Sequence, residues 1–342
     1  MMIIQKIGKD QQGLWDIFVR AAPSGTYFHL YGWSEVIEKT YGLPALFLGA
    51  FENEQLVAVL PAILTKKRRS KGRAVSLAFG TYGGWLISPG VDQDRVQRSF
   101  MEFLAGIGVT SLENRFLGTR TNAIAAEQVT QRLALSASPD QLWKVFDPKV
   151  RNQIRKAQKE GLCARWGLDQ LPEFFSIYSA NMRHLGTPPH PLYFFEAVRD
   201  EFPEAVDILT IRLGDKPLAA MLLLKYANQL SDPWAASLRE YASMCPNMLM
   251  YWESMKYGCE HGFVEFDLGR SRVGSGPFRF KAQWGAQAVS LNYQIFKIDG
   301  KGGLEITSPE SSPLMPYVSR VWQFVPLGLS RRFGPIIRKR IV

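Results

Sequence analysis

The sequence predicts an α+β protein built from two successive and similar domains. The chain has 342 residues, a length that suits two domains of roughly 150–170 residues each. Its residues are 46% apolar and 21% charged, a composition that can fill two hydrophobic cores and is not that of a disordered tail or a fibre. One order of elements, helix–hairpin–strand–helix–strand, occurs twice along the chain, which is the strongest of these observations.

The first half shows this order between residues 27 and 107. Apolar periodicity and turn residues predict, in sequence, a helix at 27–42, two strands within 43–67 around a Glu52-Asn53-Glu54 turn, a strand with a glycine-rich end at 75–90, and a helix at about 91–107.

The second half repeats the order between residues 172 and 298. The same patterns predict helices at 172–186 and 191–203, two strands within 206–230 around a Gly214-Asp215 turn, a helix at 246–262, and strands at 263–269 and 288–298. We therefore expect domains at 1–148 and 149–300, each with a mixed, mainly antiparallel sheet flanked by helices. A basic amphipathic segment follows at 301–342.

The net charge of +10 is concentrated in three places. Residues 66–73 are a basic loop or hairpin tip, and residues 150–161 carry Arg151, Arg155 and Lys159 at a spacing that forms one cationic helix face. Residues 313–342 contain bases interleaved with aromatic and aliphatic side chains and no acid, a pattern typical of a helix that lies on a membrane surface. We expect an anionic partner, with phosphates, anionic lipid headgroups and RNA as the alternatives. No DNA-binding pattern is present, so DNA is not expected.

Several classes of protein are disfavoured by the sequence. The longest apolar stretches, 56–64 and 218–224, are shorter than the roughly 18 residues of a membrane span, and the first residues do not resemble a signal peptide. We therefore expect a cytoplasmic protein. Three cysteines without a CxxC pair and four scattered histidines predict neither a disulfide framework nor a bound metal.

The element order of each half resembles that of a GCN5-related N-acetyltransferase (GNAT) domain. Two such units in tandem resemble the FemAB family of aminoacyl transferases, which extend peptide side chains of cell-wall precursors. The stretches that carry this resemblance are VRNQIRKAQKEG at 150–161, SDPWAASLREYASMCPNMLMYWE at 231–253, FVEFDLGRS at 263–271 and PFRFKAQWGA at 277–286. They are most similar to the branch of the family associated with exopolysaccharide and PEP-CTERM/exosortase systems.

The resemblance implies transfer of an acyl or aminoacyl group to an amine of a cell-envelope or exopolysaccharide precursor, carried by a lipid or a nucleotide. It leaves the donor open. A CoA-binding domain of this fold carries a glycine-rich loop at the start of its central helix, whereas this chain has Ser243-Met244-Cys245-Pro246-Asn247, where Pro246 lacks an N–H donor. We therefore expect aminoacyl-tRNA as the donor, with no bound cofactor. An acetyl-CoA-dependent acetyltransferase of an amino sugar and a non-catalytic docking protein at the membrane surface are the alternatives.

The candidate catalytic residues lie in the second half. Lys281 occupies the lysine of the FKxxFG-like segment, where a cation could act on the acyl carbonyl, and Asp267 stands at a strand end, where it could hold or deprotonate the amine. Alternatively, Asp267 caps a turn and Lys281 is a solvated helix residue. Arg270, Arg272 and Arg279 are candidate clamps for a phosphate or carboxylate, together with the helical Arg151 and Arg155.

Aromatic residues are the remaining candidates for the binding site. Tyr82 and Trp85, within the glycine-rich FGTYGGW, could present faces to a sugar or base. Trp284 could offer another stacking face, and Trp234 and Tyr251 could line the second cleft. Each of these side chains could equally be part of a hydrophobic core.

Overall fold

The computed structural model describes residues 2–65, 72–118, 127–298, 304–307 and 315–341. Its strands are β1 (Ile3–Lys6), β2 (Ala45–Glu52), β3 (Gln55–Thr65), β4 (Gly72–Ser76), β5 (Leu86–Ile87), β6 (Val109–Leu117), β7 (Gln128–Ala134), β8 (Leu162–Trp166), β9 (Val206–Leu213), β10 (Lys216–Tyr226), β11 (Gln229–Ser237), β12 (Glu265–Arg272), β13 (Gln287–Ile298) and β14 (Leu304–Thr307). Its α-helices are α1 (Gln12–Ala21), α2 (Gly32–Tyr41), α3 (Gln93–Gly106), α4 (Pro139–Val145), α5 (Pro148–Lys159), α6 (Leu171–His184), α7 (Leu192–Glu201), α8 (Pro246–Glu260), α9 (Gly276–Ala282), α10 (Met315–Trp322) and α11 (Leu327–Arg338).

The chain divides into two compact units. Unit 1 comprises residues 1–126, 290–311 and 339–342, and unit 2 comprises residues 127–289 and 312–338. The predicted repeat is present, because unit 1 contains α2-β2-β3-β4-α3-β6 and unit 2 contains α7-β9-β10-β11-α8-β12. The α+β class with two similar mixed sheets is confirmed.

The sheet of unit 1 has the strand order β1-β2-β3-β4-β6-β13, with β5 also paired to β3 and β14 to β13. The β4–β6 pair is parallel, and the other pairs are antiparallel. One apolar cluster of this unit lies between the sheet and α3, where Phe100 and Leu104 are fully buried.

The sheet of unit 2 has the order β7-β12-β11-β10-β9-β8. Only β11 and β12 are parallel among these pairs. Helix α8 is buried against this sheet through side chains such as Leu249 and Met255, and α5 contributes Ile154 to the same core. Both units therefore contain one parallel pair at the corresponding place in the repeat.

The boundary between the units differs from the one expected at 148. Strand β7 precedes residue 148 in the chain but completes the sheet of unit 2, beside β12. Strand β13 follows α9 in the chain but completes the sheet of unit 1, beside β6. Each sheet thus ends in a strand contributed by the other half of the sequence, which local patterns taken in chain order do not reveal.

Local chemistry accounts for the element ends. The β2–β3 hairpin turns at Asn53 and Glu54, which both have positive φ, as a two-residue type I′ turn requires. Helix α3 begins where the Asp92 carboxylate accepts the N–H groups of Asp94 and Arg95. Helix α8 begins at Pro246, whose missing N–H costs nothing in a first turn.

The C-terminal segment forms the helices α10 and α11, and α11 packs against α6 within unit 2. None of the helices in the described part of the chain combines the length and apolar character that a membrane span requires. Most of the basic stretch expected at a hairpin tip, residues 66–71, lies outside the described residues.

Candidate functional site

The candidate site lies in unit 2, where the parallel strands β11 and β12 separate. Their pairing ends at Ser231 and Asp267, after which β11 continues beside β10 and β12 continues beside β7. The register of β12 against β7 shifts between Asp267 and Arg270, and Gly269 adopts a φ of +73° at this bulge. Bulges of this kind redirect strands and side chains. Here the separation leaves Asp232 and Asp267 at the point where the sheet opens.

Asp267 is a buried and well-partnered carboxylate. Its Oδ1 accepts hydrogen bonds from the Gly269 N–H, at 2.8 Å, and from the Thr130 hydroxyl. Its Oδ2 lies 3.5 Å from Nε of Arg132. The hydrogen bond to Gly269 caps the turn and stabilises the bulge. Turn capping is the alternative role that the sequence indicates for Asp267.

Asp232 is buried and lacks such partners. The residue is 4% exposed, and neither carboxylate oxygen has a partner of good hydrogen-bond geometry among the described residues. Burial raises the pKa of Asp232 to about 7, although Lys281 and Tyr251 act to lower it. A carboxyl group with this pKa can accept and release a proton near neutral pH.

Lys281 is the cation of the site. Ser275 caps the short helix α9, and this helix directs Lys281 inward so that its Nζ donates to the carbonyl oxygens of Gly269, at 2.8 Å, and Arg270, at 3.2 Å. Burial lowers the pKa of Lys281, whereas Asp232 and Asp267 act to raise it. A solvated position for this lysine is therefore excluded, since the residue is 8% exposed.

The backbone at Gly269 lies close to both Asp232 and Lys281. A Cβ atom on Gly269 would lie 3.3 Å from Oδ1 of Asp232 and 3.8 Å from Nζ of Lys281. The absence of a side chain therefore lets the β12 backbone approach both the carboxylate and the ammonium group closely.

Tyr251, on α8, completes this group. Burial and the neighbouring Asp232 raise the pKa of Tyr251 well above its usual value, so its hydroxyl remains protonated. Its ring packs against Phe280, with centroids 5.1 Å apart, and against Trp284 at 6.2 Å. Tyr251 thus lies beside Asp232, near the point where the two parallel strands separate.

A cleft of about 520 Å³ opens beside α9 in the same unit. It is lined at the start of α8 by Cys245, Pro246, Asn247 and Met248, and elsewhere by Lys149, Gln153, Ser237, Ala242, Arg279, Phe280 and Gln283. Arg279 is exposed here, with its Nη1 2.6 Å from the carbonyl oxygen of Gly274. Two cationic side chains, Lys149 and Arg279, therefore border a cleft that shares α9 with Lys281.

Other predicted residues are exposed or lie inside the core, and of these Arg270 is close enough to Lys281 to lower the pKa of that lysine. Arg270 and Arg272 are exposed, and Arg272 forms an exposed ion pair with Glu127 at 3.3 Å. The Arg155 guanidinium lies over the ring of Trp143 on the outer side of α5, and Arg151 is half-buried on the same helix.

Trp284 and Trp234 serve packing. Trp284 is 2% exposed and packs edge-on against Phe146 in the main cluster of unit 2. Trp234 packs between Phe194 and Phe195, with centroids 5.5 and 5.3 Å away. The face of Trp284 that was expected to stack on a ligand is covered by protein side chains. Its position beside a glycine in the sequence does not reveal this, because it does not determine what covers the ring.

The corresponding opening in unit 1 has a different chemistry. The parallel pairing of β4 and β6 ends at Val75 and Glu113. Glu113 forms ion pairs with Arg73 and, at 2.8 Å, with Arg115. Burial alone would raise the pKa of Glu113, but Arg115 and Arg73 hold it below its usual value. This carboxylate is therefore ionised and fully compensated.

The glycine-rich segment of unit 1 is also buried. Tyr82 is 2% and Trp85 6% exposed, and Trp85 packs against Phe116 at 5.1 Å. The two residues border a pocket of about 180 Å³ with His29, whose pKa burial lowers to about 4. The expected open faces for a sugar or base are absent, since both rings are covered by this unit's own side chains.

Asp232 is the residue that the sequence analysis missed. It lies within the quoted stretch SDPWAAS, and a single acid inside a strand of otherwise buried residues was the signal that could have identified it. A charged group at such a position requires either a partner or a function.

No group of three histidine, cysteine or acidic side chains in the described ranges is arranged to hold a metal ion.

Comparisons with known proteins agree with this architecture. Residues 147–282 match the family model described as the acetyltransferase (GNAT) domain. None of the curated proteins compared with the chain matches it in sequence.

Three solved structures share the fold. FemX superposes with a TM-score of 0.66 at 15% identity, over 85% of this chain and 95% of FemX. A tandem GNAT protein from the clavulanic acid biosynthesis pathway gives 0.57 at 9% identity, over 91% and 100% of the two chains. L-PGS from Bacillus licheniformis gives 0.53 at 12% identity, over 93% and 98%. The tandem GNAT, FemAB-like fold expected from the sequence is confirmed, and this fold is one of acyltransferases.

Proposed function

We propose that the protein transfers an acyl or aminoacyl group to an amine, and that unit 2 carries the chemistry. The observation that carries the proposal is the buried Asp232 beside Lys281, at the point where β11 and β12 separate; its carboxylate oxygens have no hydrogen-bond partner of good geometry among the described residues. Its pKa stays raised although Lys281 and Tyr251 act to lower it, so ionising this buried group costs stability, and its presence is best explained by a function.

The groups have complementary roles in such a transfer. Asp232 accepts a proton from the acceptor's ammonium group, and the free amine attacks the carbonyl carbon of the donor. Lys281 stabilises the negative charge that develops on the carbonyl oxygen. As the new C–N bond forms and the donor ester or thioester bond breaks, the leaving oxygen or sulfur takes up the proton that the attacking nitrogen loses. Asp267 holds the bulge at Gly269 and so positions the two carbonyl groups that orient Lys281.

The start of α8 favours aminoacyl-tRNA over acetyl-CoA as the donor. Pro246 has no N–H, and the N–H groups of Met248 and Leu249 both donate to the carbonyl oxygen of Cys245. Few backbone donors are left to hold a pyrophosphate there. Arg279 and Lys149 supply positive charge for the phosphates of a nucleotide-bearing donor instead. The GNAT family match supports acetyl-CoA as the second candidate donor.

The acceptor class is proposed from the sequence resemblance. It is an amine of a lipid-linked or nucleotide-linked saccharide or peptide precursor of the cell envelope or of an exopolysaccharide, in a PEP-CTERM/exosortase system. The FemX and L-PGS folds among the structural neighbours are compatible with this class. Such precursors are assembled at the inner face of the cytoplasmic membrane, where we place the protein as a peripheral component bound through residues 301–342.

Donor deacylation tests the proposal without knowledge of the acceptor. We expect the protein to release radiolabelled amino acid from a pool of aminoacyl-tRNA, as the amide of ethanolamine, when ethanolamine is supplied as a small amine that is an ammonium ion at neutral pH. Asp232→Asn should slow this release roughly 100-fold or more, because it removes the proton acceptor. The exposed Asp140→Asn in α4 is the matched control and should leave the rate unchanged.

The same assay with acetyl-CoA distinguishes the donors. Activity and thermal stabilisation with acetyl-CoA alone would assign the second donor. Activity with neither donor, in a protein that melts cooperatively, would contradict the proposed function and favour a non-catalytic docking protein.

A further inference from the structure

In the C-terminal helices α10 and α11 and the turn between them, several large apolar side chains are exposed, although Trp322 is buried. Tyr317, Val321 and Phe324 are spaced i, i+4 and i+7 and are 72, 68 and 82% exposed. In α11, Leu329, Phe333 and Ile336 repeat the same spacing and are also exposed. We call these six side chains the outer face. Exposed apolar side chains that recur at helical spacing indicate an interaction site, whereas single exposed residues do not.

The side of α11 that packs on the protein is made of small residues instead. Ser330 and Gly334 are buried, and a Cβ atom on Gly334 would lie 2.6 Å from Cδ of Pro189. Arg331 anchors the helix by donating from Nε to the Ser179 hydroxyl, at 2.9 Å, with its guanidinium over the Phe175 ring. This polarity is the reverse of that of an ordinary surface helix, whose bulky apolar side chains face the core. Core packing therefore does not explain the outer face.

The positive charge around the outer face indicates an anionic partner. Residues 313–342 contain no acid, and Arg320 and Arg332 are exposed among the apolar side chains. The Arg332 guanidinium lies 5.8 Å from the centroid of the Phe333 ring. Interleaved arginines and exposed aromatic and aliphatic side chains suit the boundary between acyl chains and anionic headgroups.

We infer that the outer face of α10 and α11 is a docking surface for an anionic lipid bilayer, and that docking holds the loop at residues 185–191 close to the membrane. Gly186, with φ of +70°, is packed so closely on α10 that a Cβ atom would meet the carbonyl oxygen of Ser319 at 2.3 Å. At the other end of the loop, the Pro188 carbonyl accepts from Nη1 of Arg338.

The same loop leads to the candidate site. Its His190 ring stacks on Phe194 at 4.2 Å and lies edge-on to Trp234 at 6.3 Å. Trp234 is two residues from Asp232 on β11. A docked bilayer would therefore lie on elements that also pack against the strand carrying Asp232. This arrangement suits a lipid-borne acceptor, and in that respect the inference depends on the proposed function, whereas docking itself does not.

Vesicle co-sedimentation tests the surface. We expect the intact protein to bind vesicles of phosphatidylglycerol and phosphatidylcholine, to bind pure phosphatidylcholine weakly, and to lose affinity as salt is raised. The triple variant Leu329→Ser/Phe333→Ser/Ile336→Ser should bind roughly tenfold or more weakly. Its melting temperature should stay close to that of the native protein, because the three side chains are exposed.

Two controls separate the possible failures. The variant Ile17→Ser/Val145→Ser/Val264→Ser removes three exposed apolar side chains from scattered positions and should bind as the native protein does. Lys281→Ala should also retain vesicle binding, so that loss of transfer and loss of docking are distinguishable. Equal binding by the native protein and the outer-face variant would overturn the inference. So would a native protein that does not bind and is a dimer by light scattering, if the outer-face variant is a monomer.

Discussion

The two parallel strand pairs of the protein open in the same way but bury different charges. In unit 1 the pairing ends at Val75 and Glu113, and in unit 2 it ends at Ser231 and Asp267. The residue that follows Val75 is Ser76, whose hydroxyl accepts the Arg115 N–H at 2.7 Å.

At the matching position of unit 2, after Ser231, stands Asp232, whose oxygens have no such partner in the described structure. Unit 1 compensates its carboxylate with the two arginines that pair with Glu113. In unit 2, Asp267 lies near Arg132 and Lys281, whereas Asp232 keeps a raised pKa although Lys281 and the Tyr251 hydroxyl act to lower it. The ion pairs of unit 1 therefore stabilise its opening, while we propose that the incompletely compensated Asp232 of unit 2 exchanges a proton with a substrate.

The largest effect that would test this comparison is expected from Lys281→Ala. The substitution removes the cation that stabilises the developing oxyanion, and we expect the rate of transfer to fall about 10²–10³-fold. Single-turnover measurements with saturating donor would show it. Lys149→Ala, at the border of the cleft, should weaken donor binding with a smaller effect on the rate of the chemical step. An unchanged rate in a folded Lys281→Ala protein would move the chemistry away from unit 2.

Glu113→Gln tests the structural role assigned to unit 1. It leaves Arg73 and Arg115 without their shared carboxylate, and we expect the free energy of unfolding to fall by about 3 kcal/mol. Urea denaturation followed by circular dichroism measures this loss. The rate of transfer per folded molecule should be unchanged. A strong loss of transfer with unaltered stability would show that the opening of unit 1 also takes part in the reaction.

Stability as a function of pH isolates Asp232. An exposed aspartate has a pKa of 3.8, whereas the folded protein retains this proton up to a pKa of about 7. The folded state therefore binds the proton more tightly, and the free energy of unfolding should decrease as the pH rises from about 4 to 7.

Asp232→Asn removes this contribution. Between pH 5 and 8 the native protein should therefore lose on the order of 2 kcal/mol more unfolding free energy than the variant does. Denaturant titrations at several pH values measure it, and parallel curves for the two proteins would contradict the raised pKa. In the native enzyme the rate of transfer should increase through pH 7, as Asp232 ionises.

Gly269→Ala tests the close approach of backbone and charge in unit 2. The alanine would adopt a positive φ and would place its Cβ 3.2 Å from the carbonyl oxygen of Asp232, so we expect a loss of about 2 kcal/mol. Gly285→Ala is the matched control. Gly285 has a φ of +86°, and a Cβ atom there would have no heavy atom within 4 Å, so about 1 kcal/mol is expected. Equal losses of stability in the two variants would show that the contact between residue 269 and the Asp232 carbonyl oxygen does not constrain the side chain at position 269.

The smallest effect is expected from Tyr251→Phe. The Tyr251 hydroxyl lowers the pKa of Asp232, so its removal should raise that pKa further and move the rise of the pH–rate profile to higher pH by a few tenths of a unit. The profile of the native enzyme is the reference. A shift to lower pH would mean that the hydroxyl does not interact favourably with the ionised carboxylate.

Much of the secondary structure could be predicted from the sequence, because it depends on local chemistry. The turn at Asn53-Glu54, the cap at Asp92 and the helix start at Pro246 are all encoded within a few residues. The repeat also followed from element order. The pairing of β7 with β12 and of β13 with β6 could not be predicted in this way, because pairing partners of similar hydrophobicity cannot be distinguished by pattern alone.

The candidate site was only partly predictable for a related reason. Lys281 and Asp267 stand at charged positions of short motifs, whereas Asp232 lies in a long stretch of the family resemblance in which its own position is not marked out as functional. The aromatic residues Tyr82, Trp85 and Trp284 were named for their chemistry, but their burial depends on what the rest of the chain places over them.

Residue type and spacing along the chain were enough to specify the order of helices and strands, the duplicated unit, and the basic, acid-free C-terminal segment. The three-dimensional fold was needed to establish that Asp232 lies buried near Lys281, that Glu113 is compensated by two arginines, and that the bulky side chains of α11 point outward. Those properties depend on which distant residues are brought together, because desolvation and charge pairing are set by neighbours in space and not by neighbours in sequence.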